Sequence, residues 1–78
     1  MKGVNMTIGE WLEGLADSSE STERDSKLMQ NYLRQSGYTK ATVVYGVVYL
    51  TGYGFPRSIH SMASMILEEI EIEKERVS

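Results

Sequence analysis

The segment TKATVVYGVVYLTGYGFP, residues 39–56, decides which fold the sequence predicts. Sixteen residues between Lys40 and Arg57 carry no charge and are rich in valine and tyrosine. Such β-branched and aromatic residues favour a strand. The valines, however, come in pairs at 43/44 and 47/48, so the strict alternation typical of a half-buried strand is absent.

Paired apolar residues favour a buried helix over residues 41–50. Thr39 would be its N-cap and Gly52 its stop. This helix would be the core of an all-α fold, with Val43, Val44, Val47 and Val48 on one face and the tyrosines on the other. The alternative is an α+β fold in which residues 41–50 form a strand or a hairpin.

Helical signals flank this segment on both sides. Thr7 and Glu10 have the spacing of a capping box. Behind them, apolar residues follow helical spacing at Ile8, Trp11, Leu12, Leu15 and Ala16. A second helix is predicted over about 21–36 with Gly37 as its C-terminal cap, and a last helix begins at Pro56 or Ser58. These patterns predict a small dimeric bundle of three to four short helices.

A length of 78 residues predicts a single domain over 1–78, with residues 1–6 and 75–78 frayed and 17–22 as a linker. A core this small often gains stability by oligomerising. The chain has no cysteine, which excludes disulfides and thiolate zinc sites and fits a reducing compartment. The uncharged segment is shorter than a membrane span, and the N-terminus lacks the pattern of a secretory signal. We expect a soluble cytoplasmic protein with no membrane partner.

The sequence contains few residues that could serve in catalysis. There is one histidine, His60, and the carboxylates lie on helical segments predicted to be exposed. No serine has an evident base and orienting partner, and the glycines at 52 and 54 lack the lysine of a phosphate loop. We therefore predict no catalytic residue, no metal site and no cofactor, and a protein that is not an enzyme.

Charge is distributed unevenly along the chain. Residues 28–67 contain no acid, and their only basic residues besides His60 are Arg34, Lys40 and Arg57. The uncharged helix could not be covered completely in so small a monomer, and tyrosine is enriched at interfaces. The predicted function is therefore a regulator or inhibitor that binds another protein, or itself, through an exposed Tyr/Val helix. Its predicted partner-binding residues are Lys40, Tyr45, Tyr49, Tyr53 and Arg57. The alternative is a small dimeric DNA-binding transcriptional regulator that uses the acid-free middle.

Overall fold

Three helices and a three-stranded antiparallel sheet make up the fold. The computed structural model describes residues 7–52 and 54–77. In chain order the elements are α1 (Ile8–Asp17), α2 (Glu23–Gln35), β1 (Thr42–Val44), β2 (Val47–Tyr49), β3 (Arg57–Ser58) and α3 (Ile59–Val77). The strands lie in the order β1-β2-β3. The predicted all-α bundle is wrong, and the fold is mixed α+β.

The error lies in residues 41–50, which form a hairpin and not a helix. Tyr45 and Gly46 have φ angles of 50° and 75°, and two consecutive positive φ values are those of a type I′ turn. This turn reverses the chain between the two valine pairs, so Val44 lies opposite Val47 and Val43 opposite Val48. Each pair therefore contributes one inward and one outward valine, and alternation is present within each short strand.

The helix starts follow the capping signals. Thr7 forms the predicted capping box with Glu10 at the start of α1. A second capping box joins Thr22 to Asp25 and begins α2, close to the predicted start. Gly37, with φ at 115°, follows the end of α2 in a conformation that glycine adopts readily.

The core lies between the inner face of the sheet and the helices. α1 packs mainly along α3, and α2 packs against β1. Residues 18–22 connect α1 to α2. The buried apolar side chains are Leu12, Leu15, Met29, Leu33, Ala41, Val43, Val48, Ile59, Met62, Ala63 and Ile66.

The outer edge of β1 is covered by side chains of α2. Three polar residues one helical turn apart bond to the backbone of the hairpin segment. They are Ser26, Gln30 and Arg34, which bond to Gly46 N (3.0 Å), Val43 N (3.0 Å) and Ala41 O (2.9 Å) respectively. Because α2 satisfies these backbone groups, it fixes the position of the hairpin against the helix.

Candidate partner-binding surface

The outer face of the hairpin presents apolar side chains that remain partly exposed among the residues that the structure describes. The register places Thr42 beside Tyr49 and Val44 beside Val47 on this face. Val44 is 44% exposed and Tyr49 is 46% exposed, whereas Val48 on the inner face is 1% exposed. We call Val44, Tyr45, Val47 and Tyr49 the hairpin surface.

Tyr45 stands at the tip of this surface and is 97% exposed. Its φ of 50° lies in the left-handed region, which bulky residues rarely adopt and which asparagine or glycine tolerate at this turn position. The ring buries almost nothing within the chain, so it does little to offset that backbone strain. An exposed aromatic side chain on a strained backbone is a reason to look for a role outside folding.

The tip is held from two sides. The Ser26 hydroxyl accepts a hydrogen bond from Gly46 N, and Ser26 is itself buried. Ile59 N donates to Gly46 O at 2.8 Å, which joins the tip to the start of α3. A Cβ on Gly46 would lie 2.8 Å from the Ser21 hydroxyl oxygen, so the α1–α2 connection also passes close to the turn. These contacts fix the backbone from which the Tyr45 ring projects.

The start of α2 beside this tip is anchored to α1. Trp11 Nε1 donates to Asp25 Oδ1 at 3.0 Å, and Thr22 N donates to Asp25 Oδ2 at 2.9 Å. Partial burial opposes ionisation of Asp25 and is the largest single influence. The donors from Thr22 and Trp11, helped by the Arg24 charge, together outweigh it, so the Asp25 pKa lies below its ordinary value. Asp25 is therefore an ionised link between the two helices.

The five predicted binding residues do not share one side of a helix. Tyr45 lies at the hairpin tip and Tyr49 on the outer face, while exposed Lys40 precedes β1 at the opposite end of the hairpin. Arg57 pairs with Val48 in the sheet, which turns it away from the Tyr49 face, and its Nη1 donates to Met65 Sδ at 3.0 Å. Tyr53 lies outside the described residues. The structure therefore brings Tyr45 and Tyr49 into one surface and separates Arg57 from it.

Phe55 is an exposed aromatic residue that the sequence reasoning missed. It is 89% exposed, between Gly54 and Pro56 in the loop from β2 to β3. A lone phenylalanine flanked by glycine and proline, the two residues that most strongly mark turns, was the available signal. The loop leaves β2 at the end opposite Tyr45, so exposed aromatic residues lie at both ends of the strands.

Charges differ between the two ends of the hairpin. At the tip, an open depression bordered by Val44 and Tyr45 is also lined by Glu23 and Lys27, which form an exposed ion pair at 3.8 Å. At the opposite end, Lys40 lines a second depression with Leu50 and Thr51. The strands between these ends contain no acid.

Metal sites and membrane-spanning helices are not found in the part of the chain that the structure describes. Within residues 7–52 and 54–77, no three histidine or carboxylate side chains come together as a metal site would require. No helix in these ranges combines the length and apolarity needed to cross a bilayer. The hairpin surface is therefore the strongest candidate for a functional site.

Comparisons with known proteins do not assign this site. No protein-family model, curated protein or solved structure matches the chain. A function must therefore be argued from the geometry of the hairpin surface.

Proposed function

We propose that this protein is a small non-enzymatic regulator that binds another protein through the hairpin surface. The observation that carries the proposal is Tyr45, an aromatic ring 97% exposed on a backbone with φ at 50°. Asparagine would suit this turn better, so folding alone does not account for a tyrosine here. Tyrosine is among the residues most often found at binding hot spots, because it offers a large apolar area with a polar tip.

Recognition through side chains fits this sheet better than addition of a partner strand. At the outer edge, Gln30 of α2 already bonds to Val43 N in β1, and Arg34 bonds to Ala41 O just before this strand. At the other edge, β3 has only two residues and follows Pro56, which has no N–H to donate. Short, covered or proline-flanked edges discourage strand pairing. A partner would instead pack against the ring of Tyr45 and the outer face.

Binding of DNA is the competing function, and the basic residues on which it depends support it poorly. Arg34 Nε donates to Ala41 O at 2.9 Å, and Arg57 Nη1 donates to Met65 Sδ at 3.0 Å. Three basic side chains, two of which already have an N–H engaged within the fold, give few phosphate contacts, whereas DNA affinity at physiological salt requires several. The apolar side chains of the hairpin surface are better suited to contact with an apolar surface of another protein than to contact with DNA.

A photo-crosslinking experiment tests the proposal. A benzophenone amino acid replaces Tyr45 in the full chain, and a matched probe replaces Ile72, which is 52% exposed on α3. We expect the Tyr45 probe to give a discrete protein adduct in cells that the Ile72 probe does not give. The purified adduct partner should then bind the unmodified chain, with its affinity reduced at least about tenfold by Tyr49→Ser.

Two results would contradict the proposal. One is an identical adduct pattern from the two probes. The other is a purified candidate whose affinity is insensitive to Tyr49→Ser and Tyr45→Ser. Binding to a random-sequence DNA duplex that weakens steeply with salt and depends on Lys40 would favour the DNA function instead.

A further inference from the structure

We infer that a second copy of this chain covers the hairpin surface when no other protein does, in a symmetric face-to-face dimer. The inference deepens the proposed function and rests on it, since the same surface is used. In the absence of another protein, the second copy occupies the hairpin surface. Binding of a partner would then compete with self-association.

The exposed area supports this occupant. A fully exposed aromatic side chain can bury roughly 150–250 Å². Tyr45 is 97% exposed and Tyr49 is 46% exposed, so their rings together offer on the order of 300 Å² per copy. Val44, which is 44% exposed, and Val47 extend this area along the same face. A stable interface buries about 800 Å² per partner, so these apolar side chains would form its centre and the surrounding polar residues would supply more than half of the area.

A two-fold axis that lies between the two faces and runs across the strands provides a polar rim. In this isologous arrangement, the tip of each hairpin lies over the opposite end of its partner's strands. Lys40 at that end would then approach the tip, where the acidic segment containing Glu20 and Glu23 passes beside Gly46. The two Lys40 side chains lie far apart in this arrangement, and each approaches Glu20 and the Glu23–Lys27 ion pair of the other copy. In a parallel arrangement the two lysines would face each other.

The sheet edges limit the alternatives for self-association. Side chains of α2 bond to the outward backbone of β1, and β3 is short and follows Pro56. Continuous sheets running through two copies are therefore disfavoured. Packing of the two outer faces leaves these edges unchanged.

Competition follows from the shared surface. A ring of Tyr45 that is buried in the dimer cannot at the same time contact another protein. The concentration of the chain would therefore set how much of it is available to a partner, because dimer formation is governed by mass action.

Sedimentation equilibrium of the full chain over about 1–500 µM provides the first test. We expect the average mass to rise from one chain to two and to stop there. Tyr49→Ser and Tyr45→Ser should each weaken the dimer at least about tenfold, while Ile72→Ser leaves its dissociation constant unchanged. Circular dichroism of each variant shows whether it is folded. A mass of one chain at every concentration, or growth beyond two chains, would overturn the inference.

Crosslinking tests the arrangement of the copies. The chain has no cysteine, so Thr42→Cys on the outer face introduces the only thiol. Packed sheets lie about 10 Å apart, a span that a short bismaleimide reaches. We expect rapid linkage of two Thr42→Cys chains and none for Ile72→Cys, which lies about 20 Å along α3 from Ile59. Equal linkage of the two variants would contradict the face-to-face arrangement.

Failure of the dimer and failure of the proposed function remain distinguishable. The chain could prove monomeric while its Tyr45 probe still captures a protein whose affinity falls with Tyr49→Ser. That result would contradict the dimer and leave the proposed function intact. A dimer that forms as expected, with the Tyr45 probe giving no adduct other than two linked copies of the chain, would contradict the regulatory proposal and leave the dimer intact.

Discussion

Gln30 on α2 accepts a 3.0 Å hydrogen bond from the backbone N–H of Val43 on β1. The Val44–Val47 pair closes a two-residue turn, and alternation along the antiparallel ladder then directs the N–H of Val43 away from β2. Gln30 therefore occupies a position that another strand would otherwise take. Through this contact, a side chain of α2 makes the edge of β1 less available for pairing with another strand.

Removing this contact should weaken the fold and expose the edge. Gln30→Ala leaves the partly buried N–H of Val43 without this acceptor, and we expect a loss of about 1–2 kcal/mol in the free energy of unfolding. Asn31→Ala, at the exposed neighbouring position, should change stability by less than about 0.5 kcal/mol. Urea melts measure both variants, and light scattering should show more aggregation for Gln30→Ala. Equal midpoints for the two variants would show that solvent satisfies Val43 equally well.

Gly46 is expected to be more sensitive to substitution than Gly52. Both have positive φ, at 75° and 83°, but only Gly46 has a neighbour within reach of an added Cβ, the Ser21 hydroxyl at 2.8 Å. Gly46→Ala should cost about 1–3 kcal/mol through backbone conformation and displacement of Ser21. Gly52→Ala should cost only the backbone part, about 1 kcal/mol. Thermal melts that rank the two variants in the opposite order would contradict the tight packing at the tip.

Stability should depend on pH through Asp25. Its pKa in the folded chain lies below the ordinary value of 3.8, so its stabilising contribution is complete above that value and is lost as the pH falls through the folded pKa. Asp25→Ala should lower the free energy of unfolding by about 1 kcal/mol at pH 7, with the difference from wild type shrinking below about pH 4. Glu23→Ala in the same helical turn provides the control, because its ion pair with Lys27 is exposed. A difference for Asp25→Ala that stays constant down to about pH 2 would rule out the ionised link.

The helices could be predicted because their signals are local. Thr7 and Glu10 are three residues apart, and their capping box forms as the sequence indicates. The hairpin is stabilised differently, by Gln30 acting on a strand residue 13 positions away and by Ser26 acting on the turn 20 positions away. No short window contains those partners. Tyr45-Gly46 also differs from the Asn-Gly that most strongly marks a two-residue turn.

The candidate site could be predicted only in part, because its geometry also depends on contacts between residues distant in the sequence. Tyr45 and Tyr49 were chosen for their chemistry, and the structure places both on an exposed surface. Their grouping with Arg57 depended on a helix, and the antiparallel register places Arg57 beside Val48 instead. Their role in binding stays a prediction.

Val48 and Val44 should differ in what they contribute. The helical interpretation gave both a role in folding, but Val48 is 1% exposed and Val44 is 44% exposed. Val48→Ala should lower stability by about 1–3 kcal/mol through lost burial and a small cavity. Val44→Ala should cost less than about 1 kcal/mol and should weaken the dimer. Denaturant melts and sedimentation of the same two variants measure both effects, and equal losses of stability would contradict the inward and outward assignment.

Tyr45→Asn should make the fold more stable and its interactions weaker. Asparagine adopts the left-handed conformation at this turn more readily, so we expect a gain of about 1 kcal/mol in the free energy of unfolding. The substitution also removes a ring that is 97% exposed and does little for the fold. Loss of the ring should weaken self-association at least about tenfold, as truncation of a hot-spot aromatic does.

Two controls separate these effects. Tyr45→Phe keeps the ring and the backbone strain, so its stability and dimer affinity should stay close to those of the wild type. Tyr49→Asn places asparagine within a strand, where it is disfavoured, so this variant should lose stability as well as affinity. Thermal melts and sedimentation equilibrium of the three variants are sufficient. A loss of stability in Tyr45→Asn would mean that the ring supports the fold, and unchanged association would mean that it contacts no second copy.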